Sequence, residues 1–115
     1  MERDIHYFEL ILSSIEAIDE YLKNIKEDHF LNDRLIKDAV LMRLIVIGEY
    51  GAKVSERIKN DFKEIEWQVI KAARNFYVHV YDGVNWIYVW ETVQKDLPAL
   101  KVKIKNIIEQ LDKNN

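Results

Sequence analysis

The chain has 115 residues, of which 49% are hydrophobic and 32% charged, with a formal net charge of −3. That content can build one hydrophobic core, and three Gly and one Pro are too few to punctuate a β-rich chain. The absence of Cys excludes a disulfide framework and a thiolate zinc site, and the acidic balance argues against a generic nucleic-acid coat protein.

The periodicity predicts an all-α protein, a four-to-five helix up-and-down bundle in a single domain over residues 1–115. A first helix is expected from about Asp4 to Lys26, with Phe8, Ile11, Leu12, Ile15, Ile18 and Leu22 at three-to-four spacing. The opening Met-Glu-Arg-Asp lacks the basic and apolar regions of a signal peptide. The longest apolar run, Leu44 to Gly48, is far shorter than the roughly 20 residues of a membrane span. The expectation is a cytoplasmic protein without membrane contact.

A second helix is expected from Asn32 or Asp33, either able to cap it, to about Lys59. Its main stripe is Ile36, Val40, Leu44, Ile47, Gly51, Val54 and Ile58. Leu35, Ala39, Leu41, Met42, Ile45 and Val46 carry apolar character around the cylinder, and a helix apolar on most sides is buried on most sides. A homodimer explains this economically; the alternative is a four-helix core that covers the whole helix. Gly48 and Gly51 each cost about 1 kcal/mol relative to Ala inside a helix, so close approach by another element is expected there. Glu49, between them, is either at the core edge or paired with a cation, for which Arg74 is the candidate.

A third helix is expected over about Glu66–Tyr81, with Trp67, Ile70, Ala73 and Tyr77 facing the core. Asp82-Gly83 marks a turn, and Asn85 can cap a fourth helix running to Leu97. Pro98 either kinks that helix or starts another, and Leu100, Ile104, Ile107, Ile108 and Leu111 continue the pattern.

Arg74, Asn75, His79 and Tyr81 form the one cluster combining a cation, an amide, an imidazole and a phenol. Histidine is the commonest general acid or base, and the guanidinium fork suits phosphate oxygens. RNA cleavage needs both: a 2′-hydroxyl must lose a proton, and charge on the phosphoryl oxygens must be stabilised. At 100° per residue, Asn75 and His79 lie about 40° apart, but Arg74 and His79 about 140°. They can act together only if the helix ends or bends near His79, or if a second subunit supplies one of them. Taken alone, the spacing favours a surface cation and a satisfied histidine. Phe76, Tyr77, Trp86 and Trp90 read as core, and Lys101, Lys103 and Lys105 as a solvated face. His6 and His29 show no complementary neighbours, and no ligand spacing suggests a metal site or a cofactor. Residues 1–31 carry eight acids against three bases, and residues 32–115 twelve against fourteen, which permits local RNA contact.

The arrangement Arg74-Asn75-x-x-x-His79-x-Tyr81 resembles the R-x4-H-x-Y signature of HepT toxins, within the HEPN superfamily of small helical ribonucleases. Ile47-Gly48-Glu49, Trp67 seven residues before Arg74, Val89-Trp90, and Asp96-Leu97-Pro98-Ala99-Leu100 are similar to the family's segments in the same order. The resemblance implies a homodimer bringing two such segments to one cleft and metal-free RNA cleavage leaving a 2′,3′-cyclic phosphate. It implies that Arg74 stabilises the scissile phosphate, His79 transfers protons and Asn75 orients one or the other. Tyr81 is similar to the tyrosine that an MntA-type minimal nucleotidyltransferase antitoxin modifies with AMP, in a type VII-like toxin–antitoxin pair. Val80 departs from the small or acidic residue that many relatives carry there. Two other readings are a non-catalytic HEPN interaction module that binds a nucleotidyltransferase partner, and a nucleotide-binding HEPN domain without cleavage.

Overall fold

The structure, a computed structural model, describes residues 2–73 and 83–113. Helix α1 spans Glu2–Tyr21, α2 Glu27–Asn32, α3 Arg34–Lys53, α4 Glu56–Asp61 and α5 Trp67–Ala73. After the segment 74–82, α6 spans Trp86–Glu91, a π-turn Thr92–Asp96, and α7 Leu97–Lys113. No strand occurs among the described residues, and the all-α class is as expected.

The long helices form the bundle: α1 packs against α3 and α7, and α3 against α5. Phe8, Ile11, Ile15 and Ile18 of α1 are wholly buried, facing a core that includes Val40, Leu44 and Ile47 of α3 and Ile104 and Ile107 of α7. These are the residues that the three-to-four spacing places on one stripe, and their burial drives the assembly.

Several boundaries differ from expectation, each for a local reason. Helix α1 ends at Tyr21 rather than Lys26, because Asn24 takes a left-handed conformation (φ 63°) that asparagine tolerates. The polar stretch that follows is itself a short helix, α2, anchored by wholly buried Phe30. Between the two candidate caps of α3, Asp33 fills the role: its Oδ1 accepts a hydrogen bond from the Ile36 amide at 3.1 Å.

Helix α3 stops at Lys53 rather than Lys59. Ser55 starts a new helix, its Oγ accepting from the Ile58 amide at 3.4 Å. The Ser55 amide and hydroxyl also donate to the two carboxylate oxygens of buried Asp4, at 2.8 and 2.9 Å. A residue 51 positions away thus holds the break in place.

Of the two readings of Pro98, the second holds: it sits in the first turn of a new helix, α7, that begins at Leu97. The Leu97 amide bonds to the Thr92 carbonyl, one residue further back than in an α-helix. The proline ring would otherwise collide with the carbonyl four residues earlier, and the wider π-turn accommodates it.

The bundle also leaves much of α3 uncovered. Leu41 is buried as the core reading requires, but Leu35 is 79% and Met42 58% exposed. Ala39, Ile45 and Val46 are half-buried beside them.

Candidate functional site

Arg74, Asn75, His79 and Tyr81 lie outside the described residues, as does the expected continuation of the third helix beyond Ala73. What the structure defines is the frame that delivers the chain to this segment and receives it afterwards.

The entry is α5. Its Ile70 packs against the backbone of α3 at Gly51, where an added Cβ would collide with the Ile70 Cγ2 methyl. The close approach expected at the glycines is therefore present, and α5 is the element that makes it. Trp67 fixes the start of the helix: its indole Nε1–H donates to the Phe62 carbonyl at 3.1 Å. Its ring centroid lies 6.0 Å from that of Phe8, and the Lys59 ammonium lies 5.8 Å from it. Buried Ala73 ends the described part of α5. There a cavity of about 120 Å³ is lined by Leu44, Ile47, Ile70, Ala73, Leu97 and Leu100, among others. Its wall is mostly aliphatic, with Glu66, Thr92, Asp96 and Lys103 as the polar members.

The exit is the turn into α6. The Asn85 side chain caps that helix as expected, accepting from the Tyr88 amide at 3.0 Å. Trp86 and Trp90 rest on Phe30, with centroids 6.2 and 5.3 Å away, which bears out their reading as core aromatics. The Lys37 ammonium lies 5.1 Å from the Trp86 ring. Helix α5 is thus packed against α3, and α6 against α2 and α3, by apolar and cation–π contacts.

Glu49 is exposed on α3, and its expected partner Arg74 lies outside the described residues. Three further assignments need correction. His29 does have a complementary neighbour: its Nε2 is 3.1 Å from Asp33 Oδ2. The Ile36 amide, more than that imidazole, holds the Asp33 carboxyl below the ordinary carboxylate range, against a smaller opposing effect of burial. Lys101 and Lys103 are not simply solvated. Lys101 pairs with Asp19 of α1 at 3.2 Å, and Lys103 donates to the Glu64 carbonyl at 2.9 Å, so both tie α7 to its neighbours. Nothing in the spacing of these residues announces such long-range partners. Among the described residues, no cluster of three or more His, Cys, Asp or Glu could hold a metal, and no helix is long and apolar enough to cross a membrane.

The described helices form an all-α bundle in which the chain enters residue 74 from α5 and leaves residue 82 toward α6. The family model for ribonuclease HepT-like proteins matches residues 11–107, and the chain belongs to that family. It is 37% identical over 105 residues to "Probable ribonuclease HepT" of Thermococcus cleftensis, covering 88% of this chain and 92% of that one. It is also 37% identical over 115 residues to "Gamma-glutamylcyclotransferase and putative RNase" of Methanocaldococcus jannaschii, covering 99% of this chain. The chain spans about half of that longer protein (52%). A third relative, a "Putative RNase" of the same organism, is 33% identical over 112 residues, with 96% of this chain and 97% of that one covered. No solved structure matches the chain.

Proposed function

We propose that this chain is a metal-independent endoribonuclease toxin acting through Arg74 and His79, with Asn75 in support. The carrying observation is that the family match, over residues 11–107, runs through the whole of Arg74-Asn75-x-x-x-His79-x-Tyr81. In the proposed reaction His79 accepts the ribose 2′-hydroxyl proton as the 2′-oxygen bonds to phosphorus. The bond from phosphorus to the 5′-oxygen breaks and that oxygen takes up a proton, leaving a 2′,3′-cyclic phosphate and a 5′-hydroxyl. Arg74 stabilises the charge that develops on the phosphoryl oxygens, and Asn75 orients the phosphate or the imidazole. Two copies of the chain contribute to one cleft, which resolves the separation of Arg74 from His79 on an ideal helix.

Regulation in this reading falls on Tyr81. A minimal nucleotidyltransferase antitoxin transfers AMP from ATP: the phenol oxygen bonds to the α-phosphorus and pyrophosphate leaves. The added anion and bulk then exclude RNA by charge and by size. The names of the relatives support the ribonuclease part of this proposal; the partner and the modification rest on the sequence motif.

The test is cleavage of single-stranded and transfer RNA in EDTA. Purified protein should cut, and Arg74→Ala and His79→Ala should each abolish cutting with helicity unchanged. Cleavage by His79→Ala at the parent rate overturns the role given to His79. Co-expression with the nucleotidyltransferase should add mass in multiples of AMP, absent in Tyr81→Phe. A folded protein that binds that partner but cuts no RNA would instead be the interaction module.

A further inference from the structure

We infer that the cavity between α5 and α7 binds a small neutral molecule, of one ring or about six carbons, whose hydroxyl bonds to Thr92. This site takes no part in the proposed ribonuclease reaction, and its walls come chiefly from α3, α5, α7 and the π-turn.

Thr92 supplies the polar end of the site. It opens the π-turn and is 8% exposed, and its Oγ1 meets no hydrogen-bond partner among the described residues. Threonine inside a helix ordinarily bonds its hydroxyl back to the carbonyl three or four residues earlier. Here the Thr92 amide reaches both the Tyr88 and the Val89 carbonyls, and the hydroxyl reaches neither. A buried hydroxyl without a partner is costly, so a molecule that supplies the bond is favoured there. Thr92 lines the cavity of about 120 Å³.

The walls set the rest of the ligand. Leu44 and Ile47 of α3, Ile70 of α5 and Leu97 of α7 line the cavity and are buried, so its interior is aliphatic. An aliphatic cavity of about 150 Å³ stays dry and takes benzene, which fixes the size class. Water is a poor occupant, because an ordered water needs about two to four polar partners and Thr92 is the buried one in this wall.

Charge excludes the ionic alternatives. Glu66 and Asp96 are exposed and Lys103 is half-buried, so these three residues mark the mouth. Lys103 already donates to the Glu64 carbonyl at 2.9 Å, and the two carboxylates outnumber it. An anion is repelled at the mouth, and a lone hydroxyl does not hold a full charge in an apolar interior. A cation would stay at the exposed carboxylates and leave Thr92 without its bond. A neutral hydroxyl both donates and accepts, so it matches Thr92 whichever way that side chain's proton turns. Phenols and short branched alcohols meet all of these demands.

Titration of the full chain with phenol, neutral at pH 7, tests the site by methyl NMR spectra. Saturable shifts centred on Ile47, Ile70 and Leu100 are expected, with a Kd of about 1 mM or tighter. Thr92→Val keeps the side chain's shape and removes an unpartnered hydroxyl, so circular dichroism should show an intact fold. It should weaken phenol about tenfold and leave the affinity for toluene within about threefold of the parent. Thr92→Ser keeps the hydroxyl and should bind phenol within about threefold of the parent. Absence of saturable phenol binding, shifts centred elsewhere, or undiminished phenol affinity in Thr92→Val overturns the inference. So does toluene binding without phenol binding, or a long-lived water on Thr92 that persists beside bound phenol. None of these readouts involves RNA, so their failure leaves the ribonuclease reading standing.

Discussion

Gly51 of α3 and Ile70 of α5 meet so closely that the glycine's missing side chain is the space the isoleucine methyl occupies. Gly51→Ala should therefore destabilise the fold by about 1–3 kcal/mol despite the better helix propensity of alanine, because overpacking outweighs it. Thermal unfolding followed at 222 nm checks this. Combining it with Ile70→Val, which removes one methyl, should recover part of the loss. A neutral Gly51→Ala would show that α5 can retreat from α3 without cost.

The Asp4 carboxylate bridges α1 to the Ser55 amide and hydroxyl. Asp4→Ala removes two charge-assisted bonds, but exposed Ser55 can turn its donors to water, so the cost should be about 1–3 kcal/mol. Ser55→Ala removes both the hydroxyl bond and the cap of α4, for about 1–2 kcal/mol. The double variant should lose less than the sum, since the two changes share a bond, and urea unfolding of the four proteins measures that coupling.

Phe30 is wholly buried and carries the Trp86 and Trp90 contacts of the exit helix. Phe30→Ala should lower stability by about 3–5 kcal/mol, the range for deleting a buried aromatic. Quenching of tryptophan fluorescence by iodide should rise in the folded variant, as Trp86 and Trp90 lose their support.

Asp33 supplies a pH dependence. Its folded pKa is lowered, chiefly by the Ile36 amide, so the stabilising bond is fully present above the ordinary carboxylate range and is lost as pH falls through the lowered value. Asp33→Asn keeps a capping oxygen but cannot titrate. The difference in denaturation midpoint between the two proteins should be constant near neutrality and shrink in acid, below about pH 4.

The helices were legible wherever burial has a period. The α1 stripe from Phe8 to Ile18, the Asn85 cap and the tight seam at Gly51 could all be anticipated from local pattern and propensity. What escaped were features set by residues far away in the chain. Nothing around Ser55 announces that Asp4 will hold it, and the apolar run through Ile58 reads as one helix without that knowledge. Lys101 and Lys103 likewise look like a solvated row until Asp19 of α1 and the Glu64 carbonyl are placed beside them. The candidate chemistry was legible only as a motif, because the angle between Arg74 and His79 depends on where a helix stops. Helical spacing does not determine that.

The π-turn at Thr92–Asp96 carries one residue more than a regular helix would over the same rise. Because that extra residue is absorbed in a single widened turn, Val89 upstream and Leu97, Ile104 and Leu111 downstream all still face inward. The last helix can therefore tolerate a change of one residue in its length without rotating either half. A family member one residue shorter at this point would keep the same inward faces by closing the turn to a regular helix. In evolutionary terms the turn is a place where an insertion could be accepted without redesign of the core.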